Sequence, residues 1–135
     1  MQVLLVILGL VIGLILLVRG ADEMVKCAIH IAQKYKIPQS KIWFDPGIGF
    51  GKNLAQNLEI MQNIQKFKIN NCGILLGSSR KSWINGIDNS DVSNRLGGSL
   101  ASALYCYKKG VKMFRVHDVK ETSQALKVYK NLCLM

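Results

Sequence analysis

The sequence predicts an α/β fold built on a parallel sheet. Three short runs, KIWF (41–44), GILL (73–76) and VKMFRV (111–116), carry the β-branched, aromatic and aliphatic residues of buried strands. Helical patterns alternate with them, and strands alternating with helices pair in parallel through right-handed crossovers. The length of 135 residues, 50% of them apolar and 19% charged, allows one domain with a core and excludes a disordered chain.

The first segment is anomalous. Residues 3–18 (VLLVILGLVIGLILLV) contain no polar side chain and raise the mean hydropathy to +0.20. As a helix the run would span about 24 Å, short of the roughly 30 Å of a bilayer's hydrocarbon layer, a gap that thinning and frayed flanks can close. No Lys or Arg precedes it, and Arg19 to Glu23 offer no clear cleavage site, which argues against a signal peptide. Arg19, Lys26, Lys34 and Lys36 follow it, so an inserted helix would leave the body in the cytoplasm. Two readings stay open for residues 1–20: a membrane anchor on the inner membrane, or sequence brought into frame by truncation of a longer gene.

Residues 22–36 read as a helix, with Met24, Cys27, Ala28, Ile31 and Ala32 recurring at three- and four-residue steps and Pro38 closing it. The KIWF strand stops at Asp45-Pro46-Gly47. Residues 53–67 form a second helix, with Asn53 as its cap and Leu54, Leu58, Met61, Ile64 and Phe67 as its buried stripe. GILL runs into Gly77-Ser78-Ser79-Arg80-Lys81. Residues 83–91 (WINGIDNSD) read as a loop, and a helix follows from about Val92 to Lys109. Gly97 and Gly98 weaken that helix and suit close approach of a neighbour. Gly110 fits the terminating position beyond it. VKMFRV is the third strand, and Lys120 to Asn131 the last helix.

There are 18 Lys+Arg against 8 Asp+Glu, a net charge of +10, with no block of five like charges. That balance, with a pI near 9.7, suits phosphorylated small molecules or a membrane surface. Signatures of RNA modules and zinc fingers are missing, so nucleic acid is not the expected partner. Cys27, Cys72, Cys106 and Cys133 lie far apart with no C-x-x-C, so they read as four reduced thiols in a cytoplasmic protein and not as metal ligands.

Chemistry in α/β sheets collects beyond the C-terminal ends of the strands. Here those ends carry Asp45, then Arg80 and Lys81, then Arg115 and His117, so one acid and several cations are expected at one mouth. Arg115 and His117 are two apart and share a strand face with Met113, while Phe114 and Val116 point to the helices. A guanidinium beside an imidazole suits a phosphate or pyrophosphate; a helix-facing salt bridge is the alternative. Asp45 precedes the glycine-rich turn GIGFGK (47–52). Its carboxylate could accept two parallel hydrogen bonds from an amino-pyrimidinone edge, or simply cap the turn. The glycines, Gly49 among them, would admit a flat ligand close to the backbone. GIGFGK is neither a Walker loop nor a dinucleotide fingerprint.

Four motifs in order, DPGIGFGKN (45–53), GSSRKS (77–82), RLGGSLASALY (95–105) and FRVHDVKET (114–122), resemble the C-terminal part of the dihydropteroate synthase family over about residues 24–132. The resemblance implies a partial (β/α)8 TIM barrel over residues 21–135: its last three βα units with a preceding helix. It implies an enzyme of folate synthesis that joins para-aminobenzoate to a hydroxymethyl-dihydropterin pyrophosphate and releases pyrophosphate. Under it Asp45 grips the pterin's amino and ring N–H edge, and Lys81 reaches the pterin carbonyl and ring nitrogen. Arg115 lies against the ring and, with His117, holds the pyrophosphate. Ser79, Arg80 and Phe50 form the para-aminobenzoate side. Lys81, Arg115 and His117 are the catalytic set. The family's Mg²⁺ would be held by an asparagine from the first half of the barrel, which nothing in residues 1–23 matches. A complete barrel needs about 250 residues, so the expected partners include a complementing half barrel or a second copy. The alternative is a non-catalytic remnant that retains pterin or anion binding.

Overall fold

The computed structural model describes residues 25–69 and 71–133. The chain divides into two compact units, Met1–Gln39 and Ser40–Met135. In the first, residues 25–34 form helix α1. It stops where Lys36 turns left-handed at φ +56° and Ile37 N–H bonds back to the Ala32 carbonyl, 2.8 Å away. Met24 of the expected apolar stripe lies outside the described residues; among the others Ala32 is buried and Cys27, Ala28 and Ile31 are exposed. A stripe is buried only against a second element, and the described residues of this unit supply none. The apolar run 3–18 lies outside the described residues. Among those that are described, no helix is long and apolar enough to cross a membrane.

The second unit is an α/β layer. Its strands are β1 (Trp43–Phe44), β2 (Gly73–Leu76) and β3 (Met113–Phe114). Its helices are α2 (Leu54–Gln62), α3 (Ser82–Asp88), α4 (Leu96–Lys108) and α5 (Val119–Leu132). The sheet order is β1-β2-β3, parallel throughout, with Trp43 opposite Gly73, Phe44 opposite Ile74, Leu75 opposite Met113 and Leu76 opposite Phe114. The outer strands are shorter than KIWF and VKMFRV suggest, because each has a single neighbour to pair with. The pleat sorts the faces. Ile74 and Leu76 point into the helix layer and join Ile48, Met61, Ile64, Trp83, Ile84, Cys106 and Val111 in the core, with Phe114 packed against it. Gly73 and Leu75 take the opposite face, where the Trp43 ring lies over Gly73 so closely that a Cβ there would sit 2.2 Å from it.

Three element boundaries depart from expectation. The stretch 83–91 is not a loop: Ser82–Asp88 is helical and buries Trp83 and Ile84, a tertiary gain that outweighs the Asn85-Gly86 breaker signal. The helix expected from Val92 is a 3-10 turn, Val92–Asn94, followed by α4 from Leu96. The helix over 53–67 ends at Gln62 and continues as a 3-10 turn, Ile64–Phe67, which leaves Phe67 exposed. Asn53 caps α2 as expected: its side chain accepts from Gln56 N–H at 2.9 Å, while Gln56 accepts from Asn53 N–H at 3.0 Å. Gly110, at φ +94°, follows α4.

Gly98 shows why glycine sits in the first turn of α4. A Cβ there would lie 2.7 Å from Cγ2 of Ile84, so α3 and α4 meet across it. At exposed Gly97, no described atom lies within 4 Å of the same position. Gly98→Ala should therefore cost stability, with overpacking of about 1–3 kcal/mol exceeding a helix-propensity gain of at most about 1 kcal/mol. Gly97→Ala should be neutral or stabilising. Urea unfolding of the two variants side by side checks the contrast.

Candidate functional site

The loop after β1 is organised by a buried asparagine. Asn57, in the first turns of α2, accepts from Gly49 N–H at 2.7 Å and donates to the carbonyls of Lys52 (3.2 Å) and Asn53 (2.8 Å). Lys52 Nζ ties the same loop by donating to the carbonyls of Gly47 (2.9 Å) and Phe50 (3.0 Å). Of the two roles open to it from sequence, Asp45 takes the turn cap. One oxygen, Oδ1, accepts from Gly47 N–H at 2.8 Å and caps the turn; the other, Oδ2, faces Arg115 at 3.6 Å.

Lys81 follows β2 and precedes α3. Its ammonium donates to the Ile48 carbonyl and lies 3.9 Å from the Phe50 ring centroid, a cation–π geometry. Its stem crosses Gly49, where a Cβ would be 2.6 Å from Lys81 Cδ; with φ at +79°, that position accepts glycine on both counts. Partial burial pushes the Lys81 amine below its ordinary pKa; Asp45 opposes the shift, and Arg115 and Lys52 add to it.

Arg115 continues β3, its N–H donating to the Leu76 carbonyl at 2.9 Å. The guanidinium lies across Gly77, 2.9 Å from where a Cβ would stand. It is mostly exposed, so its pairing with Asp45 contributes little beyond orientation. His117 is fixed by Ser79, whose Oγ lies 3.3 Å from the His117 backbone N and 3.1 Å from ring Nδ1. Gly77, Ser79, Lys81, Arg115, Val116 and His117 line one cavity of about 350 Å³. A groove of similar size lies along α5, where Phe114, Val116, Val119 and Leu126 meet Tyr107, Thr122, Ser123, Lys127 and Lys130; its cations come from α5 alone and not from the ends of strands.

Of the residues expected at the site, Ser79, Lys81, Arg115 and His117 line the cavity, and Asp45, Gly49 and Phe50 reach it through contacts with Lys81 or Arg115. Arg80 points elsewhere. Its guanidinium makes a two-point bond to Asp118, Nε to Oδ2 at 2.9 Å and Nη2 to Oδ1. The Arg80 guanidinium holds the Asp118 carboxyl below the usual carboxylate range. Sequence reasoning gave Asn57 and Asp118 no role. For Asn57 a signal existed: it occupies a stripe position, three after Leu54 and four before Met61. Asp118 stands just before α5, but its side chain makes no capping bond there. Among the described residues no three of His, Cys, Asp and Glu are placed to hold a metal ion.

The fold and the rim of cations define an α/β protein with a mouth suited to an anionic ligand. A family model described as pterin binding enzyme matches residues 17–117, and the chain belongs to that family. The dihydropteroate synthase of Escherichia coli strain K12 is 45% identical over 92 residues, which cover 68% of this chain and 33% of the relative. That of Clostridium beijerinckii is 43% identical over 108 residues, covering 79% and 40%. Among solved structures, Yersinia pestis dihydropteroate synthase superposes with a TM-score of 0.76 at 31% identity, covering 88% of this chain and 56% of that one. The Coxiella burnetii dihydropteroate synthase in complex with pteroic acid gives 0.73 at 30%, covering 85% and 44%. The chain thus spans about a third of the length of the first curated relatives.

Asn57→Ala would leave the Gly49 N–H and the Lys52 carbonyl without their partner, while the Asn53 carbonyl keeps the Asn57 backbone N–H. The expected loss is about 1–3 kcal/mol of stability. Asn57→Asp keeps the acceptor for Gly49 but turns a buried, charged oxygen toward the Lys52 and Asn53 carbonyls, so it should lose at least as much. Thermal and urea unfolding of both variants test this.

Proposed function

We propose that this chain carries the pterin- and pyrophosphate-binding part of a dihydropteroate synthase and forms the last three βα units of a (β/α)8 barrel. The observation that supports it most directly is the convergence of Lys81, Arg115 and His117, with Asp45 opposite, at the C-terminal ends of parallel strands. In the reaction, the amine of para-aminobenzoate attacks the methylene of 6-hydroxymethyl-7,8-dihydropterin pyrophosphate. The C–N bond forms as the C–O bond breaks, the amine loses a proton, and pyrophosphate departs.

Within that reaction Asp45 takes the pterin's N–H edge with the oxygen left facing the mouth. Lys81 reaches the pterin carbonyl and ring nitrogen. Arg115 and His117 hold the leaving pyrophosphate, where fixed positive charge lowers the barrier most. Ser79 and Phe50 border the para-aminobenzoate side; Arg80 belongs to it through Ser79 and Lys81, its chain neighbours. The Mg²⁺ that the resemblance implies finds no octahedral oxygen set here: the nearest carboxylate, Asp45, is already engaged by Gly47 and faces Arg115. The remaining wall of the site would come from the rest of the barrel on a complementing half, or from a second copy packed on the open face, in the cytoplasm.

Co-production of this chain with the first two-thirds of the Escherichia coli relative, in a strain lacking its own synthase, should restore growth without added folate products. Lys81→Ala and Arg115→Ala should each lower the restored activity by about 10²–10³-fold, the size of losing one charge-stabilising donor. Failure of every complementing partner would overturn the catalytic assignment and leave ligand binding alone.

A further inference from the structure

Arg80 stands between Ser79 and Lys81, two residues that line the cavity, yet its own side chain is turned away from it. Its backbone is left-handed, φ +56°, a conformation that costs a non-glycine residue about 1 kcal/mol or more. Each of its polar handles is held. The N–H donates to Ser99 Oγ at 2.9 Å. The carbonyl accepts from Arg95 Nη1 at 3.1 Å. The guanidinium is gripped at two points by Asp118. These holders are themselves connected: Ser99 Oγ donates to the Arg95 carbonyl at 2.6 Å, and Arg95 Nε donates to the Ser90 carbonyl at 3.0 Å. Arg95 and Ser99 are both buried. A strained residue persists where its surroundings over-determine it, and here the start of α4 and the residue before α5 do so, with Arg95 steadied by Ser90 in the loop after α3.

The strain has a geometric product. The left-handed residue is followed by Lys81 in an extended conformation, φ −76° and ψ 159°, as the chain enters α3. That reversal lets Ser79 reach His117 while Lys81, two residues on, reaches Ile48 and Phe50.

We propose that Asp118, Arg95 and Ser99 are positioning residues that hold Arg80 as a strained pivot, and that this pivot sets the placement of Lys81 and Ser79 in the cavity. The inference extends the reading of the cavity as an anion and pterin site. The Asp118 clasp joins the chain after β2 to the chain after β3, so Lys81 and His117 are placed together.

The test uses the intact chain, with inorganic pyrophosphate as the probe and with the pH profile of Lys81 labelling by an amine-reactive reagent as a second readout. Asp118→Asn removes the charge of the clasp and leaves one acceptor. Arg80→Gly makes the left-handed backbone cheap and deletes the clasp, so it remains informative if Asp118→Asn fails to fold. Both variants are expected to bind pyrophosphate about tenfold more weakly. Both should also move the Lys81 profile toward that of an ordinary lysine, because the half-buried seat that depresses it is lost. Ser99→Ala should shift both readouts in the same direction by less. Wild-type affinity together with an unchanged Lys81 profile in folded Asp118→Asn or Arg80→Gly overturns the pivot. If the unaltered chain fails to bind pyrophosphate, the anion reading fails, while the Lys81 profile still decides the pivot.

Discussion

Parallel pairing of β1, β2 and β3 is the constraint from which the site follows. Because the three strands run the same way, the residues after each emerge on one rim: Asp45, then Ser79 to Lys81, then Arg115 to His117. Reversing any one strand would carry its polar end to the far side of the sheet. The two-residue pleat then sorts side chains by face. Ile74, Leu76 and Phe114 go to the helices, and the positions between them are left for the ligand side. Gly77 completes the arrangement, since any side chain there would displace the Arg115 guanidinium lying across it.

That geometry gathers like charges. Lys81, Arg115 and Lys52 act on one another, with Asp45 as the compensating acid. Two cations about 4 Å apart repel by about 4 kcal/mol at the effective dielectric of a protein surface. Greater separation and exposure reduce that figure here. For Lys81 the burial cost is the largest effect, and its sign is the same as that of the repulsion. Asp45 opposes both only in part. Under the proposed function, an entering anion would offset the burial cost and the repulsion by direct attraction, so the cluster serves preorganisation for a phosphorylated ligand more than fold stability.

The outline of this fold was legible in the sequence because hydrophobic period and strand composition act locally. GILL was recoverable to the residue, and so was the Asn53 cap, whose partner lies three residues away. What was not legible depended on distant surfaces. The helix at Ser82–Asp88 is unreadable from Asn85 and Gly86, yet burial of Trp83 and Ile84 decides it. The stripe on α1 was legible as a helical pattern, but periodicity cannot say whether an element covers it, and Cys27, Ala28 and Ile31 are exposed. At the site, the residue types on the strand ends pointed to Asp45, Arg80, Lys81, Arg115 and His117, of which Arg80 turns away from the cavity to Asp118. Asn57 and Asp118 escaped because their partners, Gly49 and Arg80, are eight and 38 positions away.

The two faces of the sheet also differ in how far they are self-sufficient. On the helix side, Ile48, Ile64, Leu76, Cys106 and Val111 are fully enclosed by the described residues. On the other side Leu75 and Trp43 are only half covered, and Met113 is exposed. Parallel sheets are ordinarily buried on both faces. The cavity wall from Gly77 to His117 is braced from the covered side, by the hydrogen bonds of Ser79, Arg95, Ser99 and Asp118. Its shape therefore depends on contacts present within this unit. Enclosure of a flat ring above the open face depends on whatever covers Leu75 and Met113. Anion binding and ring binding are separable on that ground: the first draws on the braced wall, and the second draws also on the covering surface.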